Sequence, residues 1–387
     1  MMLNPSRRRF LELTGLAAVA LGLPAIAAES EQSVSNLSTV IMEGDGLGLT
    51  PLEAAQELAR LTAAQSPAVD MYGLGGEVEE VEAWFARELG KERALFMPTG
   101  TLANQLALRA LAGDHRRVVV QEVSHVYNDT GDASQTLSGL TLLPLGAERA
   151  TFTWSDVERA LQRTESGRVA ARVGAISIES PVRRRSGELF DRAQMQRICT
   201  QAREHGIGTH LDGARLHIAC AYTGIAPAEY AAPFDTVYVS LWKCFNSING
   251  AILAGPKALL DPMVHTRRMF GGALFNAWPF AMLAHHYADG FVPRLARAVA
   301  VSEDFIRALP MGVRVERTAQ GTNIFRLVVP ETRASGLRER LQAAGVVVPA
   351  PVPSTQGERA MQLHVNETWN RADAAMLAAK FEMALAS

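Results

Sequence analysis

Cysteine is scarce in this chain of 387 residues, which holds only Cys199, Cys220 and Cys244. An odd, widely spaced set matches neither a disulfide framework nor a thiolate metal site. Cys199 and Cys220 fall on apolar helical patterns and read as core, whereas Cys244 directly follows a lysine and is placed for oxidation in an oxidising compartment. No His, Asp or Glu cluster has metal-ligand spacing. His285 and His286 are neighbours in a helical stretch, and adjacent helix positions do not share a face. A dominant charge sign is also missing. The chain has 38 basic and 40 acidic residues, a net charge of -2. That removes the electrostatic case for a nucleic acid or an anionic membrane surface as partner. Internal repeats and low-complexity tracts are absent. What remains is an ordinary globular composition, 48% hydrophobic and 20% charged, enough for a large core divided between two domains.

The first residues do not read as part of that core. Ser6-Arg7-Arg8-Arg9-Phe10-Leu11 is similar to a twin-arginine export signal. An apolar stretch runs from Leu13 to Leu23, and Pro24 precedes Ala25-Ile26-Ala27, an A-x-A cleavage site. The stretch is too short and too rich in Ala and Gly for a good membrane span. The expectation is a signal peptide over residues 1–27, a mature chain from about Ala28, a periplasmic location and no membrane contact after cleavage. The twin-arginine route carries folded proteins, which fits a protein loaded with a cofactor before export.

Helical and strand patterns alternate through the middle of the chain, the mark of an α/β fold with a mainly parallel sheet. Glu77 to Leu89 has a helical period in Val78, Val81, Phe85 and Leu89, closed by Gly90. Ala94–Met97 predicts a strand, Leu102–Leu111 a helix, and Val118–Gln121 and Val173–Ile178 two buried strands. Met195, Ile198, Cys199 and Ala202 mark one helix face, closed by Gly206. Thr236–Leu241 predicts a strand with Ala251–Ala254 as an antiparallel neighbour. Beyond about residue 285 the pattern becomes α+β: a helix over Phe291–Leu309, strands near Val313–Glu316, Asn323–Val329 and Ala360–Val365, helices over Leu337–Ala344 and Ala372–Leu385, and a Pro-rich turn at Pro349–Pro353. The division expected is an N-terminal segment 28–50, a large cofactor-binding domain 51–285 and a small C-terminal domain 286–387.

Chemistry concentrates between Thr209 and Gly250. One strand delivers Asp212 at its end, and another delivers Lys243. An acid and a lysine on neighbouring strand ends suit pyridoxal phosphate: the acid keeps the pyridine nitrogen protonated and the lysine holds the aldehyde as a Schiff base. Lys243 ends the apolar run Val237–Trp242, and desolvation there would lower its pKa. Asp212 taken alone is equally a helix cap. Arg215 suits the cofactor's phenolic oxygen or a substrate carboxylate, with a plain ion pair as the alternative. Pro98-Thr99-Gly100-Thr101 turns from strand to helix, and Gly100 and Thr101 there suit a phosphate. His125 follows a strand and suits stacking on the ring or proton transfer; a lone histidine is also commonly structural. Glu179, a strand-end acid, suits orienting His125 or a water, or capping the turn.

These residues together resemble the threonine aldolase / aromatic amino acid β-eliminating lyase family of fold-type-I pyridoxal phosphate enzymes. The similar blocks are DMYG at Asp70–Gly73, GKERALFMPTGTLANQLALRA at Gly90–Ala110, SHVYN at Ser124–Asn128, HLDGARL at His210–Leu216, the strand with Lys243, and RRMFGG at Arg267–Gly272. The resemblance implies an internal aldimine on Lys243, a pyridinium contact from Asp212, phosphate contacts from Gly100 and Thr101, and His125 over the ring. It implies a homodimer or homotetramer in which Tyr72 reaches a neighbouring subunit's site. Departures are also legible. The family's Asn-Thr-His-Asn is replaced by Ser180-Pro181-Val182-Arg183, its Ser-Lys-Gly by Trp242-Lys243-Cys244, and an arginine after the Gly-rich turn by Phe275, with Arg267 or Arg268 as substitutes at the phosphate. Arg359 is the nearest match to the carboxylate-gripping arginine. The departures fall on proton transfer and substrate binding and spare the positions under the cofactor.

The leading expectation is retro-aldol cleavage of a β-hydroxy-α-amino acid to glycine and an aldehyde, with His125 or a Glu179-held water as base. One alternative is another pyridoxal phosphate reaction on an amino acid: β-elimination, racemisation or transamination. A second is a binding protein without turnover on the same fold.

Overall fold

The computed structural model describes residues 38–386. The twin-arginine segment and its cleavage site lie outside the described residues. Among the described residues, no helix is long and apolar enough to cross a membrane, and no group of three or more His, Cys, Asp or Glu could hold a metal ion.

Short apolar runs with β-branched residues build the central sheet. In spatial order its seven strands are Arg93–Met97, Ala251–Gly255, Thr236–Ser240, Gly208–Asp212, Val173–Glu179, Arg117–Gln121 and Thr141–Leu145. Ala251–Gly255 runs antiparallel to both its neighbours, and the other pairings are parallel. Helices cover both faces, so the central strands are buried along their whole length, as in Val173–Glu179 and Thr236–Ser240. The antiparallel pairing expected for Ala251–Ala254 is present, Val237 facing Ala254. Parallel order matters for function because it gathers the carboxyl ends of several strands along one edge, where α/β folds place their ligands.

Local signals set the helices on this sheet. Thr99 caps Gly100–Ala112 by accepting a hydrogen bond from the Leu102 N–H, and Gly113 (φ +53°) ends it. Its buried face, including Ala103, Leu106 and Ala107, lies on the sheet. Gly76–Glu88 follows the expected apolar period, with Val78, Val81 and Phe85 buried. Glu82 on this helix accepts the Phe96 N–H at 2.7 Å and is buried. Burial pushes its carboxyl up to about 7 against the pull of that hydrogen bond, Arg93 and Arg267. The folded state therefore binds a proton here that the unfolded chain has lost above its ordinary pKa of 4.5. The linkage makes this contribution to stability fall as pH rises from about 4.5 to 7. A Glu82→Gln variant, which keeps an acceptor for Phe96, is expected to lose that part of the decline. Urea midpoints taken across this range for both proteins check it.

The C-terminal part carries a four-stranded antiparallel sheet in the order Val352–Pro353, Glu358–His364, Ile324–Pro330, Arg314–Glu316. The stretch read as a Pro-rich turn thus supplies an edge strand, a position that tolerates proline. Val40–Ile41 pairs in parallel with Val346–Val347, which ties the first described residues to the C-terminal part.

The structure departs from expectation at three places. The strand before Lys243 ends at Ser240, and Lys243 sits in the single helical turn Leu241–Cys244. The helix after Asp212 begins at Leu216, leaving 213–215 as a turn. Pro51–Gln65 is a helix that carries few buried side chains, and its signal is the capping box of Thr50 with Glu53.

Candidate active site

Asp212 ends the central strand Gly208–Asp212 and is buried. Its neighbour across the ladder is Glu179. Two carboxylates side by side without water need separate solutions. Asp212 accepts the Asn104 amide N–H at 2.8 Å on Oδ2 and the Ala214 N–H at 3.3 Å on Oδ1. Glu179 accepts the backbone N–H of His125 at 2.6 Å and of Arg183 at 2.8 Å. Burial and the Asp212 charge push the Glu179 carboxyl well above the usual range. Glu179 is thereby spent on fixing two loops. The bond to the His125 N–H fits a role in placing that residue.

Lys243 lies beyond the next strand, with Nζ 5.3 Å from the centre of the Trp242 ring. Burial, with Arg215 second, lowers its pKa. Arg215 is fixed through Nε to Asp45 at 2.8 Å. Burial alone would raise the Asp45 carboxyl, but His364, Arg215 and Asn323 hold it well below the carboxylate range. A cavity of about 620 Å³ opens beside these groups, lined by Asp45, Arg215, Trp242, Lys243, Ile248 and His364 among others.

The start of the helix Gly100–Ala112 is closely packed at Gly100. A Cβ on Gly100 would meet the Tyr238 hydroxyl at 2.0 Å, so only glycine fits at this helix start. Thr101 follows it on the first turn. Ser240 Oγ is buried with no hydrogen-bond partner of acceptable geometry, although the Tyr238 hydroxyl approaches it. A buried hydroxyl without a well-placed partner and a helix N-terminus suit an anionic group. Together with Asp212 and Lys243 they fit pyridoxal phosphate.

His125 begins a short helical turn capped by Ser124. Its Nδ1 lies 3.4 Å from Asp129 Oδ2, and Asp129 is gripped by Arg183 at 3.0 Å and Arg184 at 2.6 Å. The run Arg183–Arg185 is therefore engaged within the chain. Val182, where the family carries a histidine, is fully buried.

Arg359 lies away from this chain's cavity, and Tyr72, expected to reach a neighbouring subunit's site, lies outside it as well. Arg359 pairs with Glu331 at 2.6 Å near the opposite end of its strand from His364. It does not grip a substrate in this chain's cavity; His364 is the residue of that strand that lines it. A strand alternates its faces, and an offset in matching the C-terminal block moves the assignment along it. Tyr72 sits on an exposed loop with φ +56°, its ring edge-on to Phe275 at 5.3 Å and 4.6 Å from the Arg268 guanidinium. Arg267 is buried and donates to the carbonyls of Phe96, Tyr72 and Gly73. It holds that loop through its two terminal nitrogens. Sequence reasoning missed Asn104, His210, Ser240, Asp45 and His364. Asn104 and His210 stood inside the two most specific blocks, and His210 shares a strand face with Asp212. No local signal marks Asp45 or His364, which reach the site from distant parts of the chain.

The fold and the residues at its carboxyl edge define a fold-type-I pyridoxal phosphate enzyme. Residues 53–369 match the beta-eliminating lyase family, and the chain belongs to it. It is similar to the low-specificity L-threonine aldolase of Candida albicans, 30% identical over 203 residues, covering 52% of this chain and 54% of that protein. It is similar to alanine racemase TOXG of Cochliobolus carbonum, 31% identical over 195 residues, covering 50% and 49%. The match spans about half the length of each of these curated relatives. A solved structure from Exiguobacterium sp. 255-15, a provisional aromatic amino acid beta-eliminating lyase/threonine aldolase, superposes with a TM-score of 0.74 at 28% identity, covering 91% of this chain and 98% of that one.

Proposed function

We propose that this protein is a pyridoxal phosphate-dependent lyase that cleaves a β-hydroxy-α-amino acid to glycine and an aldehyde. The observation that carries the reading is the carboxyl edge itself: a buried, amide-bonded Asp212 beside a desolvated Lys243 and an Arg-bearing cavity. Pyridoxal phosphate supplies an electron-accepting ring that stabilises negative charge at the substrate Cα. Lys243 Nζ, Asp212, Gly100, Thr101 and Ser240 would hold it. Lys243 suits covalent attachment because burial favours its uncharged amine. Arg215 is anchored by Asp45 through one nitrogen, and its terminal N–H groups are available to the substrate carboxylate. His125 points Nδ1 at Asp129, which leaves Nε2 to take the proton of the β-hydroxyl. As that proton leaves, the Cα–Cβ electron pair passes to Cα and the aldehyde departs. Cα then takes a proton and glycine is released.

The test is glycine and aldehyde release from L-threonine, L-allo-threonine and an aryl-serine by the purified, cofactor-loaded protein. Matching yields support the reading, and no glycine from loaded protein counts against it. A His125→Ala variant is expected to lose ~10²- to 10⁴-fold in kcat, the scale of a lost general base, with cofactor absorbance retained. Racemisation is the second reading. It is favoured by buried Val182 in place of the family's histidine and by the similarity to TOXG. An inverted stereocentre without glycine would select it.

We further propose a homo-oligomer. Met71, Leu74, Met269 and Phe275 are exposed large hydrophobics around Tyr72, a patch that a second copy would cover. Phe275→Glu is expected to shift the molecular mass from light scattering toward the monomer. Periplasmic export remains part of the proposal, tested by fractionating cells that produce the full chain and a variant with Arg7, Arg8 and Arg9 changed to Lys.

A further inference from the structure

A line of fully buried polar groups runs behind Asp212. Thr236 Oγ lies 2.8 Å from His210 Nδ1, His210 Nε2 lies 2.9 Å from Asn104 Oδ1, and Asn104 Nδ2 lies 2.8 Å from Asp212 Oδ2. Thr236, His210 and Asn104 have no solvent exposure, and Asp212 is buried as well. The direction of every bond follows from the last one. A carboxylate only accepts, so the Asn104 amide must present N–H to Asp212 and its oxygen to His210. His210 Nε2 must then carry the proton, its Nδ1 must accept, and the Thr236 hydroxyl must donate. Burial lowers the His210 pKa to about 4 despite the Asp212 charge and a contact with the Thr236 backbone, which both favour the charged ring, so the ring is neutral and has one proton to place.

We propose that Asn104, His210 and Thr236 form a polarised relay that fixes Asp212 as the charged, correctly aimed partner of the cofactor's ring nitrogen. The inference rests on the cofactor reading above and goes beyond it by assigning roles to three positioning residues. Chemistry at the site requires one of two adjacent buried carboxylates to stay ionised. Glu179 faces only backbone N–H groups, whereas Asp212 receives an amide whose donor strength is raised by two further bonds behind it. The other charges near the pair are Arg215 and Lys243, both on the cavity side. The relay comes from the helix Gly100–Ala112 and the strand Thr236–Ser240. The same helix therefore presents the phosphate site at its first turn and the Asp212 clamp one turn later. That couples the two ends of the cofactor through one rigid element.

Three substitutions and two readouts test this. Asn104→Ala removes the bond to Asp212, Thr236→Val removes the far end, and Thr236→Ser restores the hydroxyl. For Asn104→Ala, pyridoxal phosphate binding followed by fluorescence is expected to weaken about tenfold or more, the scale of a hydrogen bond to a charged group. The pH midpoint of the cofactor's visible band is expected to move. Thr236→Val should shift both quantities the same way by less, and Thr236→Ser should recover wild-type values. In the cofactor-free wild type, histidine ¹⁵N NMR should show His210 neutral and protonated on Nε2 throughout pH 5.5 to 8, well above its pKa of about 4. A Nδ1-protonated or charged His210 overturns the relay, as does a folded Asn104→Ala protein with wild-type binding and midpoint. If Asn104→Ala does not fold, the Thr236 pair decides: equal values for Val, Ser and wild type overturn it. Wild-type protein that takes up no pyridoxal phosphate overturns the function proposed above instead, and the NMR result still judges the relay.

Discussion

A Lys243→Ala protein is expected to release glycine at least ~10³-fold more slowly than wild type, because loss of a covalent catalytic group removes a whole reaction route rather than one contact. The structure explains why no neighbour substitutes. The other cation of the cavity, Arg215, is tied to Asp45 and stays protonated at any working pH. Lys243→Arg should fail for the same reason, despite keeping a positive charge. The visible absorbance of added pyridoxal phosphate should resemble the free aldehyde in both variants. A small primary amine added to Lys243→Ala should recover part of the rate, since the cavity that held the side chain is open. Stopped-time glycine assays with and without the amine make the measurement. Full turnover by loaded Lys243→Ala would move the chemistry away from this residue.

Asp212→Ala is expected to cost ~10²- to 10³-fold in kcat, comparable to losing one preorganised electrostatic contact to developing charge. Asp212→Asn is the sharper experiment. It preserves shape and can still accept the Ala214 N–H, but it has no charge with which to hold a protonated ring nitrogen. Its kcat should fall close to that of Asp212→Ala, while KM changes little, because Arg215 and the cavity walls are untouched. Glu179 cannot take over. It lies beside Asp212 in the ladder, but both its oxygens are committed to backbone N–H groups. A rise in KM alone, with kcat kept, would show that Asp212 serves binding and not charge stabilisation.

Much of this site is legible in the sequence. Strands and helices over Arg93–Ala112, Val173–Glu179 and Gly208–Asp212 follow from apolar period and terminal glycines, and the acid and lysine were found by their place at strand ends. Two kinds of residue escaped. Arg359 was chosen by offset matching in a region where a strand's alternating faces make one position decisive, and the structure pairs it with Glu331. Asp45, His364 and Ser240 act through long-range packing or through an unmet hydrogen bond, and neither leaves a local trace. Helix Pro51–Gln65 was missed because few of its side chains are buried, so its period is faint and only its cap is strong. Asn104 is the instructive case. It stood in a recognised block, but its task became visible only once the His210 and Asp212 side chains were seen on one face of their strand.

The parallel pairing of Val40–Ile41 with Val346–Val347 has a practical consequence. The chain passes from that pair directly into residues 43–51, all but one of which line the cavity, and into Asp45, the anchor of Arg215. Proteolytic trimming that reaches this pair is therefore only a few residues from the cavity wall. A protease that removes a few residues more would leave the seven-stranded sheet in place and still strip away one wall of the cavity beside Lys243. Preparations that look folded and yellow but turn over slowly should have their N-terminal mass checked before any side chain is blamed.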